Sequence, residues 1–408
     1  MHILYLHQYF ATPKSNGGTR SYEMARRLVQ DGYTVEFVTS SAFLNEVYEF
    51  KRGWNELHIE GIKLHVYHLP YSNTDSFVAR ILKFLRFSSV SIFKSFSIKT
   101  DLVFATSTPL TIGLPALLLK KLKKLPLVFE VRDLWPELPV AVGVIKNPIL
   151  IKLLKWFEAC IYRNSRRVVA LSPGMQAGIV RTGYPESKTT CIPNSCDVSL
   201  FNIPNQEGVA YKQQKLSFVG ERKLIIYAGT FGLINDVEYI AHLAHAARSY
   251  DDLCFVAIGN GMCKADVIAK AKELGVYENN LYILDPIAKQ EVIKLYSAAD
   301  LSLSLFGPVP EMWNNSANKL FDALASQTPI AINYAGWQKD FIEESGCGLV
   351  LNNDLKDSVD KIESFLASSE KYTSAVKACQ DLSHGQFSRD NLYQKFKKTI
   401  EDAYSEHD

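Results

Sequence analysis

A chain of 408 residues with 47% apolar, 22% charged and 12% aromatic side chains has ordinary globular composition, which excludes disordered, collagen-like and low-complexity proteins. At roughly 150 residues per domain there is room for two or three domains, each with its own core. The net charge of +2 hides an asymmetry: residues 1–200 carry 25 Lys and Arg against 15 Asp and Glu, while residues 201–408 carry 20 against 28. A basic half points to an anionic partner such as nucleic acid, a membrane surface or phosphates, unless the charge is only spread unevenly over solvated faces. No apolar run reaches the ~18 residues that a membrane span needs; Leu114–Leu119 is cut off by Lys120, Lys121, Lys123 and Lys124. Seven cysteines without a C-x-x-C, the closest pair being Cys191 and Cys196, argue against a disulfide framework or zinc site and for a reducing cytosol.

The N-terminal MHILYLHQYF lacks the basic region and cleavage site of a signal peptide and reads as a first strand, Ile3–Tyr9. A loop with Gly17 and Gly18 follows, then a helical pattern with Met24, Ala25, Leu28 and Val29 that stops at Gly32, then a strand over Thr34–Thr39. This β-loop-α-β opening starts a parallel sheet. Further strands are expected at Lys63–His68, Leu102–Ala105, Leu127–Val131, Val168–Leu171 and Thr190–Ile192. Between the first two of these lies Ser76–Thr100, which has no acid. At 100° per residue Arg80, Lys83, Arg86 and Lys94 share one arc, and Val78, Ile81, Leu82, Leu85, Ile92, Phe93 and Phe96 gather opposite. Such a basic amphipathic helix can lie in a bilayer interface, or it can pack its apolar side on the domain.

Residues 203–222 are polar, carry Pro204 and Gly208, and read as a linker between residues 1–202 and 223–385. After it the alternation restarts, with strands at Leu224–Ala228, Cys254–Ile258, Leu281–Leu284, Leu301–Leu305, Ile330–Asn333 and Gly348–Leu351. Helices are expected at about Val237–Arg248, Cys263–Leu274 and Gln290–Ala298 and near Asn318–Ala325, and amphipathic helices close the chain around Lys356–Ala367 and Asn391–Tyr404. Two doubly wound α/β domains account for the pattern, and in such sheets ligands bind at the carboxyl ends of strands.

Three glycine loops sit at such ends: Gly17-Gly18, Gly229-Thr230 and Gly259-Asn260. Each alone is also a plain turn, but glycines there let backbone N–H groups approach a phosphate, and three of them point to an interdomain cleft for a phosphorylated ligand. Arg132 and Asp133 end the strand Leu127–Val131; they either act on a ligand or pin the Trp135-Pro136 turn as an ion pair. The densest polar cluster, Glu311 to Ser326, contains Asn314, Asn318, Lys319 and Asp322. Lys319 and Asp322 share one face of a helix start, where the lysine can hold a diphosphate and the acid a ribose diol, or the two can form a surface pair.

The segments HQYF…GGTRSYEMARRL, VFEVRDLWPE, ALSPGM, IPNSCDVSLF, NKLFDALA and NYAGWQ together resemble the retaining GT-B glycosyltransferases of family 4, and within it bacterial O-antigen and capsule L-fucosamine transferases of the WbuB type. The resemblance implies two Rossmann-like domains facing across a cleft, with the acceptor on the N-terminal domain, the nucleotide-sugar donor on the C-terminal one, and a last segment, 386–408, crossing back. It places Gly17 and Gly18 by the donor phosphates. It puts Arg132 where a catalytic-site histidine is common, Asp133 beside it, and Asn194 and Asp197 on an N-G-V-D turn. Asp322 and Asn314 fall on the two glutamates of an E-x7-E motif. Thr230 stands where an arginine is usual and Gln327 where a glycine is common; Lys319 compensates for the missing base.

The reaction implied is transfer of a sugar, as in N-acetyl-L-fucosamine transfer, from a UDP-linked donor to a polyprenyl-diphosphate-linked saccharide. Arg132, Asp133 and Lys319 are its catalytic candidates; Gly17, Gly18, Gly229, Thr230, Gly259, Asn260, Glu311, Asn314, Asn318 and Asp322 are its donor-binding ones. Arg80, Lys83, Arg86 and Lys94 would hold the enzyme peripherally on the cytoplasmic face of the inner membrane. No cofactor, no metal (there is no D-x-D) and no nucleic-acid partner are expected. Two other readings stay open: a non-catalytic membrane-peripheral sugar- or lipid-binding protein, and a nucleotide-sugar epimerase on the same fold.

Overall fold

The structure is a computed structural model, and it describes residues 1–15, 17–70 and 77–406. The chain forms two compact units, Met1–Pro193 together with Leu392–Asp408, and Asn194–Asn391. Both are α/β, as the alternation in the sequence predicts.

The strands of the first unit are β1 (His2–Leu6), β2 (Thr34–Ser40), β3 (Trp54–Ile59), β4 (Ile62–Tyr67), β5 (Leu102–Thr106), β6 (Leu127–Val131), β7 (Arg167–Ala170) and β8 (Thr189–Cys191). They form one sheet in the order β3-β4-β2-β1-β5-β6-β7-β8. Every pair is parallel except β3 with β4. Helices cover both faces, so the central strands are apolar on both sides. Leu4, Leu6, Val103, Ala105, Phe129 and Val131 face the helices 77–97, 113–123 and 148–164. Ile3, Tyr5, Phe37, Phe104 and Val128 face helix Arg20–Gln30 and the last helix, Arg389–Ser405.

The second unit holds β9 (Lys223–Ala228), β10 (Leu253–Ile258), β11 (Leu281–Leu284), β12 (Leu301–Ser304), β13 (Ile330–Ile332) and β14 (Gly348–Val350). They are all parallel, in the order β11-β10-β9-β12-β13-β14.

Three sequence expectations change. Residues 203–222 are not an open linker: Asn205–Lys215 is a helix. Its one packing face is small, with Gly208 so close to the neighbouring helix that a Cβ there would lie 2.6 Å from the Ser297 carbonyl carbon, and Tyr211 buried. Two such contacts give no apolar stripe to read. The units divide at Pro193/Asn194 and Asn391/Leu392 rather than after residues 202 and 385. There the two passages of chain are bonded to each other: Cys196 N donates to Phe387 O, and Arg389 donates to Ser195 Oγ and, at 2.7 Å, to Asp197 Oδ2. Strand β3 and the helices Trp337–Ser345 and Ser369–His384 are additions. Of the segments read in the sequence, Ser76 and residues 407–408 lie outside the described residues.

Candidate functional site

In each sheet the strand order reverses at one point, between β1 and β5 in the first unit and between β9 and β12 in the second. Crevices at the carboxyl ends of strands open at such switch points, and most of the sequence-predicted residues lie there.

In the second unit the loops after β9 and β10 are zipped together. Gly229 N donates to Ile258 O at 2.9 Å and Phe231 N to Asn260 O at 3.0 Å, while Tyr227 Oη donates to Thr230 O at 2.7 Å. A Cβ on Gly259 would stand 1.8 Å from Gly229 O, so only glycine permits this approach. From across the switch point Lys319, in the first turn of helix Asn318–Ala325, reaches the same loop. A Cβ on Gly229 would lie 2.6 Å from Lys319 Cε and 2.9 Å from its Nζ. The ammonium sits 5.0 Å from the centroid of the Tyr227 ring, a cation–π distance. Burial lowers the Lys319 pKa to about 8, against the pull of Asp322.

Asp322, one turn further, is pushed up to about 6 by burial, opposed by Lys289, Arg389 and Lys319 and reinforced by Asp197. A carboxylate held in this way, with cations around it, can accept hydrogen bonds from a diol. Lys289, at the start of the helix after β11, is a cation the sequence reading missed. No run of basic residues marks it.

The loop leading into the helix is pinned from two sides. Asn194 donates from its backbone to Ser316 Oγ (2.9 Å) and from its side chain to Ser316 O (2.7 Å). Trp337 Nε1 and Gln338 Nε2 both donate to Asn315 O, which gives the NYAGWQ segment its role. Asn314 is half-buried in this loop, and Glu311 and Asn318 are exposed on it. A cavity of about 580 Å³ opens at the ends of β12, β13 and β14 between Phe306, Trp313, Asn333, Tyr334 and Lys339. It adjoins the loop but is lined by none of Gly229, Gly259, Lys319 or Asp322.

In the first unit the ends of β1, β5 and β6 converge. Arg132 and Asp133 reach different partners, not each other. Arg132 Nη1 donates to His7 Nε2 at 3.3 Å, and its backbone N to Ser107 Oγ at 2.8 Å. Asp133 Oδ2 accepts from Thr108 Oγ1 at 2.8 Å. Burial lifts the Asp133 pKa, against the Thr108 bond and Arg132. His7 is buried, and burial together with Arg132 holds its pKa well down. It is therefore neutral, accepts at Nε2 and carries its proton on Nδ1, which has no partner among the described residues.

The Gly17-Gly18 loop leads into Arg20, and that side chain turns inward. Its Nε lies 2.9 Å from Glu130 Oε2, and its Nη1 and Nη2 donate to Pro193 O (2.6 Å) and Ile192 O (2.9 Å). Glu130 Oε1 accepts from Thr106 Oγ1. This pair also went unread, although a carboxylate inside the apolar strand LVFEV is its signal.

The basic arc of helix Phe77–Ser97 is turned towards β3 and β4. Lys83 Nζ donates to Pro70 O, Arg86 Nη2 donates to Tyr67 Oη, and Lys94 Nζ lies 3.9 Å from Glu56 and 5.8 Å from the Trp54 ring centroid. Arg80 is half-buried. The side packed on the domain is Phe87, Ser88, Ser91 and Ser95, and Val78, Leu82, Leu85 and Phe93 stay exposed.

Residues 17–195 match the glycosyl transferase 4-like domain, and residues 210–381 match the glycosyl transferases group 1 domain. The chain is thus a glycosyltransferase of the GT-B type, with one unit from each of these two domain families. No curated protein matches it in sequence. The fold matches those of several solved structures. One is HepE from Anabaena in complex with UDP, at TM-score 0.70 and 15% identity over 98% of this chain and 100% of that one. A second is sucrose-phosphate synthase from Thermosynechococcus elongatus, at 0.76 and 14% over 99% of each. A third is WaaG, described as a glycosyltransferase involved in lipopolysaccharide biosynthesis, at 0.67 and 14% over 98% and 99%. Among the described residues no helix is long and apolar enough to cross a membrane, and no group of three or more His, Cys, Asp or Glu could hold a metal ion.

Proposed function

We propose that this glycosyltransferase is a retaining enzyme of O-antigen or capsule assembly. It takes a sugar from a UDP-linked donor held by residues 194–391 and passes it to a polyprenyl-diphosphate-linked saccharide at the inner leaflet. The observation that carries the reading is Lys319 against Gly229: one cation and two bare glycine loops meet at the switch point of the second sheet. An ammonium facing a diphosphate stabilises the charge it gains as it leaves, and the glycine loops, free of side chains at Gly229 and Gly259, let the ligand come close to it. In the transfer the bond between the anomeric carbon and the phosphate oxygen breaks, and the acceptor oxygen bonds to that carbon from the same face. The acceptor proton passes to the departing UDP. Asp322 holds the ribose, and HepE, of the same fold, was solved with UDP. L-fucosamine as the sugar and a lipid-linked acceptor rest on the resemblance of VFEVRDLWPE and NKLFDALA to that transferase group, and the lipopolysaccharide role of WaaG accords with them.

A thermal-shift screen of the full chain against UDP, GDP, ADP and their sugars tests this, since a ligand that binds only the native state raises the melting temperature by mass action. UDP and one UDP-sugar should stabilise the chain. A response to GDP compounds alone, or to none, overturns the donor assignment.

Arg132, His7 and Asp133 then serve the acceptor side. Arg132→Ala is expected to cut turnover at least tenfold, the ~1.4 kcal/mol of one lost transition-state contact, and to move the melting temperature little, because among the described residues the side chain makes one long hydrogen bond, to His7. Initial rates with donor and a lipid-linked acceptor, alongside a melting curve, check it. A variant that melts early yet keeps its specific activity makes Arg132 a structural pin.

A further inference from the structure

Twelve of the sixteen exposed large apolar side chains among the described residues fall between residues 78 and 156. They lie on one side of the first unit's sheet, on the helices 77–97, 113–123 and 148–164 and the loop before the last of these. The middle helix touches both others. Isolated exposed hydrophobics need no explanation, but a concentration of this kind on one face does.

The sharpest part is helix Pro148–Asn164. Ile149 is 78% exposed, Leu153 56% and Trp156 61%, and their spacing of i, i+4, i+7 puts them on one stripe. Lys152 and Lys155, both exposed, flank that stripe on one side. The sequence pointed to residues 76–100 alone. There the structure ties Lys83, Arg86 and Lys94 to β3, β4 and the loop after them and leaves Leu82, Leu85 and Phe93 open.

Charge says what covers this face. The three helices hold ten Lys and Arg and a single acid, Glu158. Glu158 is buried, accepts from Tyr162 Oη at 2.7 Å, and is pushed up to about 7 by that burial. No acidic side chain of these helices therefore reaches the surface. An apolar stripe with a tryptophan, bordered by lysines and free of exposed acids, fits the boundary between headgroups and acyl chains of an anionic bilayer.

We propose that helix Pro148–Asn164 is the membrane-docking element of this chain: Ile149, Leu153 and Trp156 enter the acyl boundary, Lys152 and Lys155 sit on lipid phosphates, and Phe93, Leu85 and Leu82 extend the contact. The proposal rests on the functional reading only for its purpose, delivery of the enzyme to a lipid-linked acceptor; its test does not involve turnover.

The full-length chain is sedimented with vesicles of phosphatidylethanolamine and phosphatidylglycerol, and with phosphatidylcholine vesicles as the neutral control. Binding is expected to the anionic vesicles and to fall with salt. Ile149→Ser/Leu153→Ser/Trp156→Ser should abolish it while UDP affinity and melting temperature hold, because the three side chains are exposed. Lys152→Gln/Lys155→Gln should lower the partition constant about 30-fold, since each basic residue near an anionic surface contributes about a factor of five. A blue shift of tryptophan fluorescence on adding vesicles, lost in Trp156→Phe while sedimentation persists, reads insertion without disturbing the fold. Undiminished sedimentation of the serine variant overturns the proposal, and so does a wild type that never sediments at moderate salt. A wild type that instead dimerises in sedimentation velocity, with the serine variant monomeric, shows that a second copy covers the face and also overturns it. Loss of UDP binding with vesicle binding intact would strike the functional reading and leave this one standing.

Discussion

Lys319→Ala should weaken UDP binding by roughly ten- to a hundred-and-fifty-fold, the 1.5–3 kcal/mol of a hydrogen bond to a charged group. The expectation follows from the place of the side chain. Its ammonium lies against Gly229, where Thr230 brings no charge. Its pH dependence is equally specific. With the Lys319 pKa lowered to about 8, binding should weaken as pH rises through 8. Uptake of a proton should accompany it near that pH, because a bound diphosphate restores the charge.

The free chain behaves in the opposite sense. Between pH 8 and the unfolded value near 10.4 the unfolded chain binds the proton that the folded one has released, so this residue adds stability as pH rises. Titration calorimetry of UDP at pH 7 and pH 9, in buffers of different ionisation heat, measures both the affinity and the proton count. An alanine variant that binds UDP as the wild type does removes Lys319 from the site.

Glu130→Ala should be strongly damaging to the fold of the first unit. It strips the buried Arg20 of the one carboxylate paired with it among the described residues and leaves the guanidinium with the carbonyls of Ile192 and Pro193. Removing one partner of a buried pair costs about 3–5 kcal/mol, because a desolvated charge is left behind. For a unit of this size that is about 6–20 °C of melting temperature. Replacing both residues by leucine should recover part of the loss, since the desolvation cost of the pair disappears with the pair. Differential scanning calorimetry of the three chains decides it. A Glu130→Ala chain that melts within about 2 °C of wild type would mean that water reaches Arg20.

Most of the strand inventory could be read directly, because a buried parallel strand is a short apolar run with turn residues at its ends; β6, Leu127–Val131, is such a run. Helix Asn318–Ala325 was legible for a similar reason, its apolar residues recurring at helical spacing. β3 was not. It is an edge strand paired on one side only, and its polar half hides the alternation. Helix Asn205–Lys215 was not, because contact through a glycine and one tyrosine leaves no periodic signature.

At the site the residue types were readable and their meetings were not. Lys319 and Gly229 each stood out, yet ninety positions separate them. Arg20 and Glu130, and Arg132 and His7, are joined only by the sheet. For helix Phe77–Ser97 the two arcs were visible, but the arc that packs inward is a serine stripe. Small hydroxyl side chains let a helix approach a sheet closely, and no hydrophobicity count ranks them as core.

The closeness of Gly229 and Gly259 also limits how this protein can change. In the donor site proposed above, the backbone of these two glycines forms one wall, and main chain cannot be edited by substitution; a methyl group at residue 259 already collides with Gly229 O. Drift in donor preference is expected to enter through side chains elsewhere in that proposed site, those of residues 311–318 and of the loop after β13 among them. A family of relatives with different sugars would therefore vary there while sharing the same bare floor.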